Sequence, residues 1–479
     1  MSNRILILKN PLSVTVTATL LGVAVIAGQL PLQVRAQSNA ELKEQIERLD
    51  QELRILKRKL EVKDEAAEET KKTTPVVTIG QNGLQVRSAD TNFIVSLHGV
   101  LQADARFYMN SRSGASAGDT FLIRRARPII DATMYEKYDF HVMMDFGSGL
   151  TSTTGNVGFL QDASVTARFL PEINLQVGKF KAPIGLERAQ SDSKLLFTER
   201  SYPTQLVPNR EVGAELKGDI SNGFFTYEVG IFNGAGDGGS EDQEVNDTGK
   251  ELEGRIFFQP LKTLSFEPLR GLGVGLGGSY GRQDGALSSY STTGQQRFFS
   301  YGDTTVSPTV NVTADGDRWR LVPQAYYYWG PFGLYAEYAI SEARLREDKG
   351  GATPVFVGAG DVRNTAWQIA GSYILTGEQQ SFKGISVKNP FKPSENHWGA
   401  FEIAARYGSL SLDRGNFPLP ITAASSYTKA SSWSVGLNWY LNNNFKFDID
   451  FESTDLSGAK TTLLSPTEQV VMTRFQLAF

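Results

Sequence analysis

The 479-residue chain has no cysteine and only three histidines, His98, His141 and His397. The first absence excludes a disulfide framework, a thiolate metal site and a cysteine nucleophile. The second leaves little for enzyme chemistry. No two histidines stand at metal-ligand spacing, and no serine or aspartate is recognisably paired with one on neighbouring strands. Neither a cofactor nor a metal site is expected. The one stretch that resembles a nucleotide loop, Gly271-Leu272-Gly273-Val274-Gly275-Leu276-Gly277-Gly278, lacks the Lys-Ser/Thr that would hold a phosphate, and its period of two places small residues on one face of a strand. A basic excess is missing too. The chain carries 48 basic against 52 acidic residues, so a nucleic-acid partner is not expected.

Mean hydropathy is −0.26, as in a soluble protein, but a membrane barrel with a polar lumen face has a diluted average as well, and the pattern has to decide. Residues 1–36 hold Arg4 and Lys9, an apolar run from about Leu12 to Leu30, and Val34-Arg35-Ala36 at the end, the layout of a cleaved signal peptide. A retained membrane anchor is the alternative, against which Thr, Gly and Gln interrupt the run. Cleavage after Ala36 removes Arg4, Lys9 and Arg35 and takes the net charge from −4 to about −7. Next, Leu42, Ile46, Leu49, Leu53, Leu56 and Leu60 recur at spacings of four and three, an a/d seam with Glu52 and Lys57 as a g-to-e pair. This predicts a coiled coil over 37–62, or a single amphipathic helix lying on something else. Residues 63–90 are expected to be a linker before a barrel at 91–479.

The barrel expectation rests on alternation. In Asp119 to Gly147, Tyr138, Phe140, Val142, Met144 and Phe146 fall on one face, and Asp139, His141 and Asp145 on the other. In Phe93 to Tyr108 the apolar set is Phe93, Val95, Leu97, Leu101 and Phe107, alternating with Ser96, His98, Gln102, Asp104 and Arg106. Strands of this kind recur near 121–135, 138–147, 160–169, 173–181, 211–219, 224–233, 250–259, 271–283, 317–328, 333–342, 363–376, 397–409, 427–441, 444–454 and 468–479. With the first they make about sixteen. Short turns (135–138, 170–172, 220–223, 329–332, 442–444) alternate with long connections (182–210, 284–316, 343–362, 410–426), as outer-membrane barrels alternate periplasmic turns with external loops. The expected fold is all-β, a 16-stranded antiparallel transmembrane barrel preceded by a short periplasmic coiled-coil helix. It ends on an apolar face of Phe475, Leu477 and Phe479.

Six segments in order resemble the phosphate-selective porin O and P family: Phe121 to Arg127, Met144 to Gly147, Gly178 to Pro183, Asn209 to Gly213, Trp398 to Glu402 with Arg406-Tyr407, and Leu437 to Asn442. The resemblance implies a sixteen-stranded trimer in a Gram-negative-type outer membrane, with a third external loop folded inward and anions carried past basic side chains. The loop here is Ala182 to Arg210, with Arg188, Lys194, Arg200 and Arg210 but also Glu187, Asp192 and Glu199. Carried over from the family's pattern, pore-lining or anion-binding positions are Arg124 and Arg125, with Lys179, Lys181 and Lys194. On the wall Arg106 and Arg127 join them, and in the loop Arg188 and Arg210. Arg offers a planar fork to phosphate oxygens and Lys a mobile charge. Strand parity conflicts at one of these positions: Arg125 and Arg127 share a face with Asp131 and Thr133, whereas Arg124 shares one with Ala126, Ile130 and Ala132. Arg124 then sits at the aqueous strand end or beyond a bulge.

The expected function is passive diffusion of small solutes, anions such as phosphate among them, with lipid and lipopolysaccharide as surroundings and a homotrimer as the assembly. The alternative is an envelope tether, in which residues 37–74 contact peptidoglycan or another envelope layer and the barrel serves as anchor.

Overall fold

From Phe93 onward, alternate residues of each strand turn outward and inward, and the outward set is apolar. On the strand Lys429–Tyr440, Trp433 and Val435 are 44% and 45% exposed while Ser432 and Ser434 between them are buried. Strands with two such faces are stable only where each face meets its own solvent, and closure removes the edges that lipid cannot satisfy. The computed structural model describes residues 39–110, 118–147, 160–241, 249–350, 353–460 and 467–479. The proposed signal peptide lies outside them.

The chain divides into a helical unit ending at Thr70 and a β unit from Lys71 onward. The helix α1 (Asn39–Thr73) runs eleven residues past the expected end of the coiled coil. Its seam residues Leu42, Ile46, Leu49, Leu53, Leu56 and Leu60 are all exposed.

In the β unit a hairpin, β1 (Val76–Gly80) and β2 (Gly83–Arg87), precedes the barrel within the stretch expected to be a linker. Its turn is Gln81-Asn82 between the paired Gly80 and Gly83, and Gly83 takes φ +82, a left-handed position that glycine fills without strain. The barrel strands are β3 (Phe93–Asn110), β4 (Thr120–Met134), β5 (Tyr138–Met144), β6 (Leu160–Leu170), β7 (Ile173–Lys181), β8 (Arg210–Ile220), β9 (Phe225–Phe232), β10 (Glu251–Phe258) and β11 (Leu272–Gly285). A small pair, β12 (Tyr290–Ser291) and β13 (Arg297–Phe299), stands apart. The barrel resumes with β14 (Val310–Trp329), β15 (Phe332–Lys349), β16 (Val355–Ile374), β17 (Ala400–Ser411), β18 (Lys429–Tyr440), β19 (Phe445–Ser457) and β20 (Thr467–Ala478). Each expected strand coincides with one of these. Every strand is antiparallel to the next, and β20 closes on β3 in the register Val470↔Tyr108 to Ala478↔Val100. Below that, β2 pairs with the first residues of β3, Leu84↔Leu97 to Arg87↔Ile94.

Tight turns of three and four residues use left-handed positions, Tyr135 and Glu136 between β4 and β5 and Ser221, Asn222 and Gly223 between β8 and β9. Closure is sealed by the last residue: Phe479 and Gly99 exchange two backbone hydrogen bonds, each of 3.0 Å. The Phe479 ring lies where a Cβ at Gly99 would be, 2.8 Å from its nearest carbon. Gly99→Val is expected to cost about 1–3 kcal/mol by overpacking, seen as a lower temperature for loss of the heat-resistant barrel band on gels. An unchanged transition would mean that the ring swings aside freely.

A constriction built from two loop carboxylates

The segment from Ala182 to Asn209 is too apolar to stay in water and too irregular to pair with a strand. Ile184, Leu186, Phe197, Tyr202, Leu206 and Val207 are all buried. Although it connects β7 to β8, its backbone is held by side chains from distant strands. Gln324 of β14 donates to the Ile184 carbonyl at 2.8 Å, and Glu337 of β15 accepts from the Leu186 amide at 2.6 Å. Lys446 of β19 and Asn438 of β18 donate to the Leu195 and Leu196 carbonyls at 2.8 and 3.0 Å. Asp450 accepts from the Thr198 amide at 2.6 Å, and Gln102 of β3 donates to the Asp192 carbonyl at 3.1 Å. A loop whose backbone bonds reach from β14 round to β3 crosses the lumen. These wall groups supply the partners that an irregular buried backbone requires.

Two loop carboxylates then gather the arginines. Glu199 accepts from Arg106 at 2.8 Å and from Arg124 through Nε at 2.6 Å and Nη2 at 3.2 Å, with Arg474 at 3.7 Å. Asp192 is paired with Arg127 and Arg200, with Arg125 at 3.5 Å and Arg210 at 3.9 Å. For Asp192, burial opposes ionisation, but Arg125, Arg200 and Arg127 outweigh it and hold the carboxyl well below its usual range. Glu199 is lowered in the same way, against burial, by Arg124 and Arg474. Both acids are therefore charged at neutral pH.

Arg124 reaches Glu199 because β4 is bulged. Gln102 pairs with Arg125 and Ala103 with Ile123, leaving Arg124 with no partner on β3. An extra residue in one strand reverses the parity beyond it. Hence Phe121 and Ile123 face outward while Arg125 and Arg127, of the same odd parity, face inward. That switch from apolar to arginine at one parity was visible in the sequence.

A cavity of about 490 Å³ opens beside this cluster. It is lined by Arg124, Arg125, Arg188 and Arg200, by Glu199 and Asp237, and by uncharged polar groups including Asn209, Gln205 and Ser288. Of the residues nominated from sequence, Arg124, Arg125 and Arg188 meet there, and only Arg124 of the pair on β4 keeps a quarter of its side chain exposed, 26% against 5% for Arg125. Arg188 is anchored by Asn209 at 3.1 Å. Arg106, Arg127 and Arg210 lie behind the lining, the last on Asp162 at 3.0 Å. The Lys179 and Lys181 ammonium groups donate to the Leu160 and Gln190 carbonyls at 2.8 and 2.7 Å. Lys194 is elsewhere, against Gly384 and in a small recess with Tyr328 and Tyr440. Sequence reasoning missed Arg474, which forks Asp104 with two bonds of 2.7 Å, and Arg406, which reaches Glu452 at 2.7 Å. Their partners are remote in sequence or unmarked by any motif. Two of the three histidines, His98 and His141, converge on Asp131 at 3.3 and 2.6 Å, a juxtaposition invisible from spacing.

The inward loop is covered by the connection carrying β12 and β13. Its Tyr290, Phe298 and Phe299 pack on the inward loop's Ile184, Tyr202, Leu206 and Val207. Gln205 donates to the Ser291 carbonyl at 2.7 Å.

Known proteins share both the architecture and the sequence. Porin O of Pseudomonas aeruginosa is 25% identical over 396 residues, covering 78% of this chain and 86% of that protein. Among solved structures, the outer membrane channel DcaP of Acinetobacter baumannii superposes with a TM-score of 0.50 at 11% identity, over 81% of this chain and 98% of that one. An anion-selective porin from Comamonas acidovorans gives 0.48 at 13% identity, over 81% and 100%. The family model described as phosphate-selective porin O and P matches residues 95–479, from the first barrel strand to the last residue. A closed sixteen-stranded barrel with an inward loop, matched over that whole length, makes this chain a member of the phosphate-selective porin O and P family and a channel of the bacterial outer membrane.

Proposed function

We propose that the channel passes small anions, phosphate among them, by diffusion through the cavity beside the inward loop. The observation that carries this is the lining itself: Arg124, Arg125, Arg188 and Arg200 face one space with Glu199 and Asp237 as its acids. A guanidinium that keeps free donors in a narrow, partly dehydrated passage attracts oxyanions without closing on them. The description of the family as phosphate-selective agrees with anion transport. Arg124 is the contact group, and Arg125, Arg188 and Arg200 set the potential around it. Arg106, Arg127, Arg210, Lys179 and Lys181 act from behind, by placing the loop and the wall.

An even number of strands returns both barrel ends to one side, which supports a periplasmic position for both ends and for α1. The exposed seam from Leu42 to Leu60 favours α1 as a coiled coil between copies of this chain, in keeping with a homotrimer of barrels. Lipid and lipopolysaccharide surround the apolar belt. In the tether alternative the same helix engages peptidoglycan.

Single-channel recording of purified protein in a planar bilayer, with a potassium chloride gradient and then a phosphate titration, tests the proposal. A reversal potential on the anion side with phosphate block between micromolar and millimolar is expected. A reversal potential on the cation side would overturn it, and absence of conductance would favour the tether.

A further inference from the structure

A second charged cluster stands on the lumen face of β8 and β10, joined to the arginine-lined cavity through Arg320 and Asp237. Glu211, Glu251 and Glu253 each turn a carboxylate oxygen into one spot, all within 4.8 Å of one another, and all three residues are buried at 0%, 1% and 1% exposure. On β9, Phe232 stands opposite Glu251 and Gly230 opposite Glu253, and the Phe232 ring lies over Gly230, 2.8 Å from where a Cβ there would be.

Their partners do not balance them. Glu251 is held by Arg318 and, at 2.7 Å, by Arg320. Arg320 also pairs with Asp237 at 2.9 Å. Glu211 accepts one bond through Oε2, from the Gly234 amide at 2.8 Å. Its Oε1 and both carboxylate oxygens of Glu253 have no N–H or O–H donor among the described residues, and the two carboxylates meet only each other. Arg318 and Arg320 thus face Glu211, Glu251, Glu253 and Asp237, an excess of two negative charges. An unpaired buried carboxylate is expensive, several kcal/mol by effective desolvation. Its remedies are a bound cation or a proton.

We propose that Glu211, Glu251 and Glu253 form a binding site for one divalent hard cation of the calcium class. All the ligands are carboxylate oxygens, the set that selects calcium, magnesium or manganese over softer metals. The excess of two charges matches a divalent ion. Glu253 is the principal ligand, since neither of its oxygens is otherwise committed, and Glu211 and Glu251 add one oxygen each. Water carried in with the ion completes the shell, because three carboxylates fall short of the six to eight oxygens that calcium takes. The ion ties β8 to β10 across β9 and, through the Gly234 amide on Glu211, fixes the start of the connection after β9.

The test uses full-length protein refolded into detergent without lipopolysaccharide, which binds calcium itself, stripped with EDTA and titrated with calcium chloride by calorimetry. One calcium per chain is expected, with a dissociation constant on the order of 10⁻⁴ to 10⁻³ M or tighter, as in other extracellular carboxylate sites. Calcium is also expected to raise the midpoint of thermal unfolding. Glu253→Gln and Glu211→Gln each abolish the heat of binding and the calcium-dependent stabilisation, while Glu215→Gln, on the same face of β8 but outside the group, retains both. Binding that survives Glu253→Gln and Glu211→Gln would place calcium elsewhere and overturn the site. No binding to the wild type, with Glu253→Gln more stable than wild type at neutral pH, would overturn it in favour of a proton shared between Glu211 and Glu253. Neither readout depends on which ions the channel conducts.

Discussion

Glu199→Gln is expected to move the reversal potential further to the anion side and to tighten phosphate block about tenfold. Glu199 neutralises Arg124 and Arg106 at 2.6 and 2.8 Å, so it takes away part of the positive potential that the cavity would otherwise present. A charge about 5 Å from a passing anion is worth about 3 kcal/mol at an effective dielectric constant of 20. Lumen water and salt reduce this to about 1–2 kcal/mol, roughly one decade of affinity. The loop should not collapse, because its backbone here is held independently: Arg406 donates to the Glu199 carbonyl at 2.9 Å, Arg474 to the Thr198 carbonyl at 2.5 Å, and Asp450 accepts the Thr198 amide. Bilayer recordings of the variant check the prediction, with thermal unfolding as the control for folding. Unaltered block in a normally folded variant would show that anions do not pass within reach of Arg124.

Arg127→Glu is expected to destabilise the barrel by about 3–5 kcal/mol, whereas Arg124→Glu should fold normally and shift selectivity toward cations. Three residues apart on β4, the two arginines differ in what surrounds them. Arg127 is 7% exposed and bound both to Asp145, at 2.7 Å, and to Asp192. A glutamate there removes two buried pairs and places three carboxylates together, and uncompensated buried charge carries the penalty quoted. Arg124 has a single partner and stays partly in water. Urea unfolding in detergent, read by tryptophan fluorescence, measures the first effect, and Asp145→Arg added to Arg127→Glu should recover part of it. Equal stability of the two single variants would mean that Asp192 and its arginines do not hold the loop.

The same contrast shows how far the site was legible beforehand. Arginines on β4 and in the 182–210 segment were recognisable as a set from their spacing and from the family resemblance. Which of them face open space was not. Lys179 and Lys181 were expected among the pore-lining or anion-binding residues, yet their ammonium groups donate to backbone carbonyls. Lys194, in the same loop, ends in a different recess. A basic residue's type says that it can bind an anion, but its nearest carboxylate or carbonyl decides whether it will. The hairpin of β1 and β2 falls in the stretch expected to be a linker, and its strands, five residues each, are too short to show the alternation that marks the barrel strands.

What the sequence alone determined is the barrel: sixteen strands, their order and their alternation, since a period of two against lipid on one side and water on the other is written locally in every strand. It determined the heptad seam of α1 for the same reason. Only the tertiary structure decided the lumen. Arg474 meets Asp104 across the closure from β20 to β3, and Thr198 meets Asp450 from loop to far wall. The convergence of Glu211 with Glu251 and Glu253 likewise depends on two strands flanking a third. Such contacts join residues remote in the chain, and the inward loop has no period to announce it. Their partners are set by how the barrel closes and what then fills it, because a buried charge settles on whichever opposite charge the fold brings within reach.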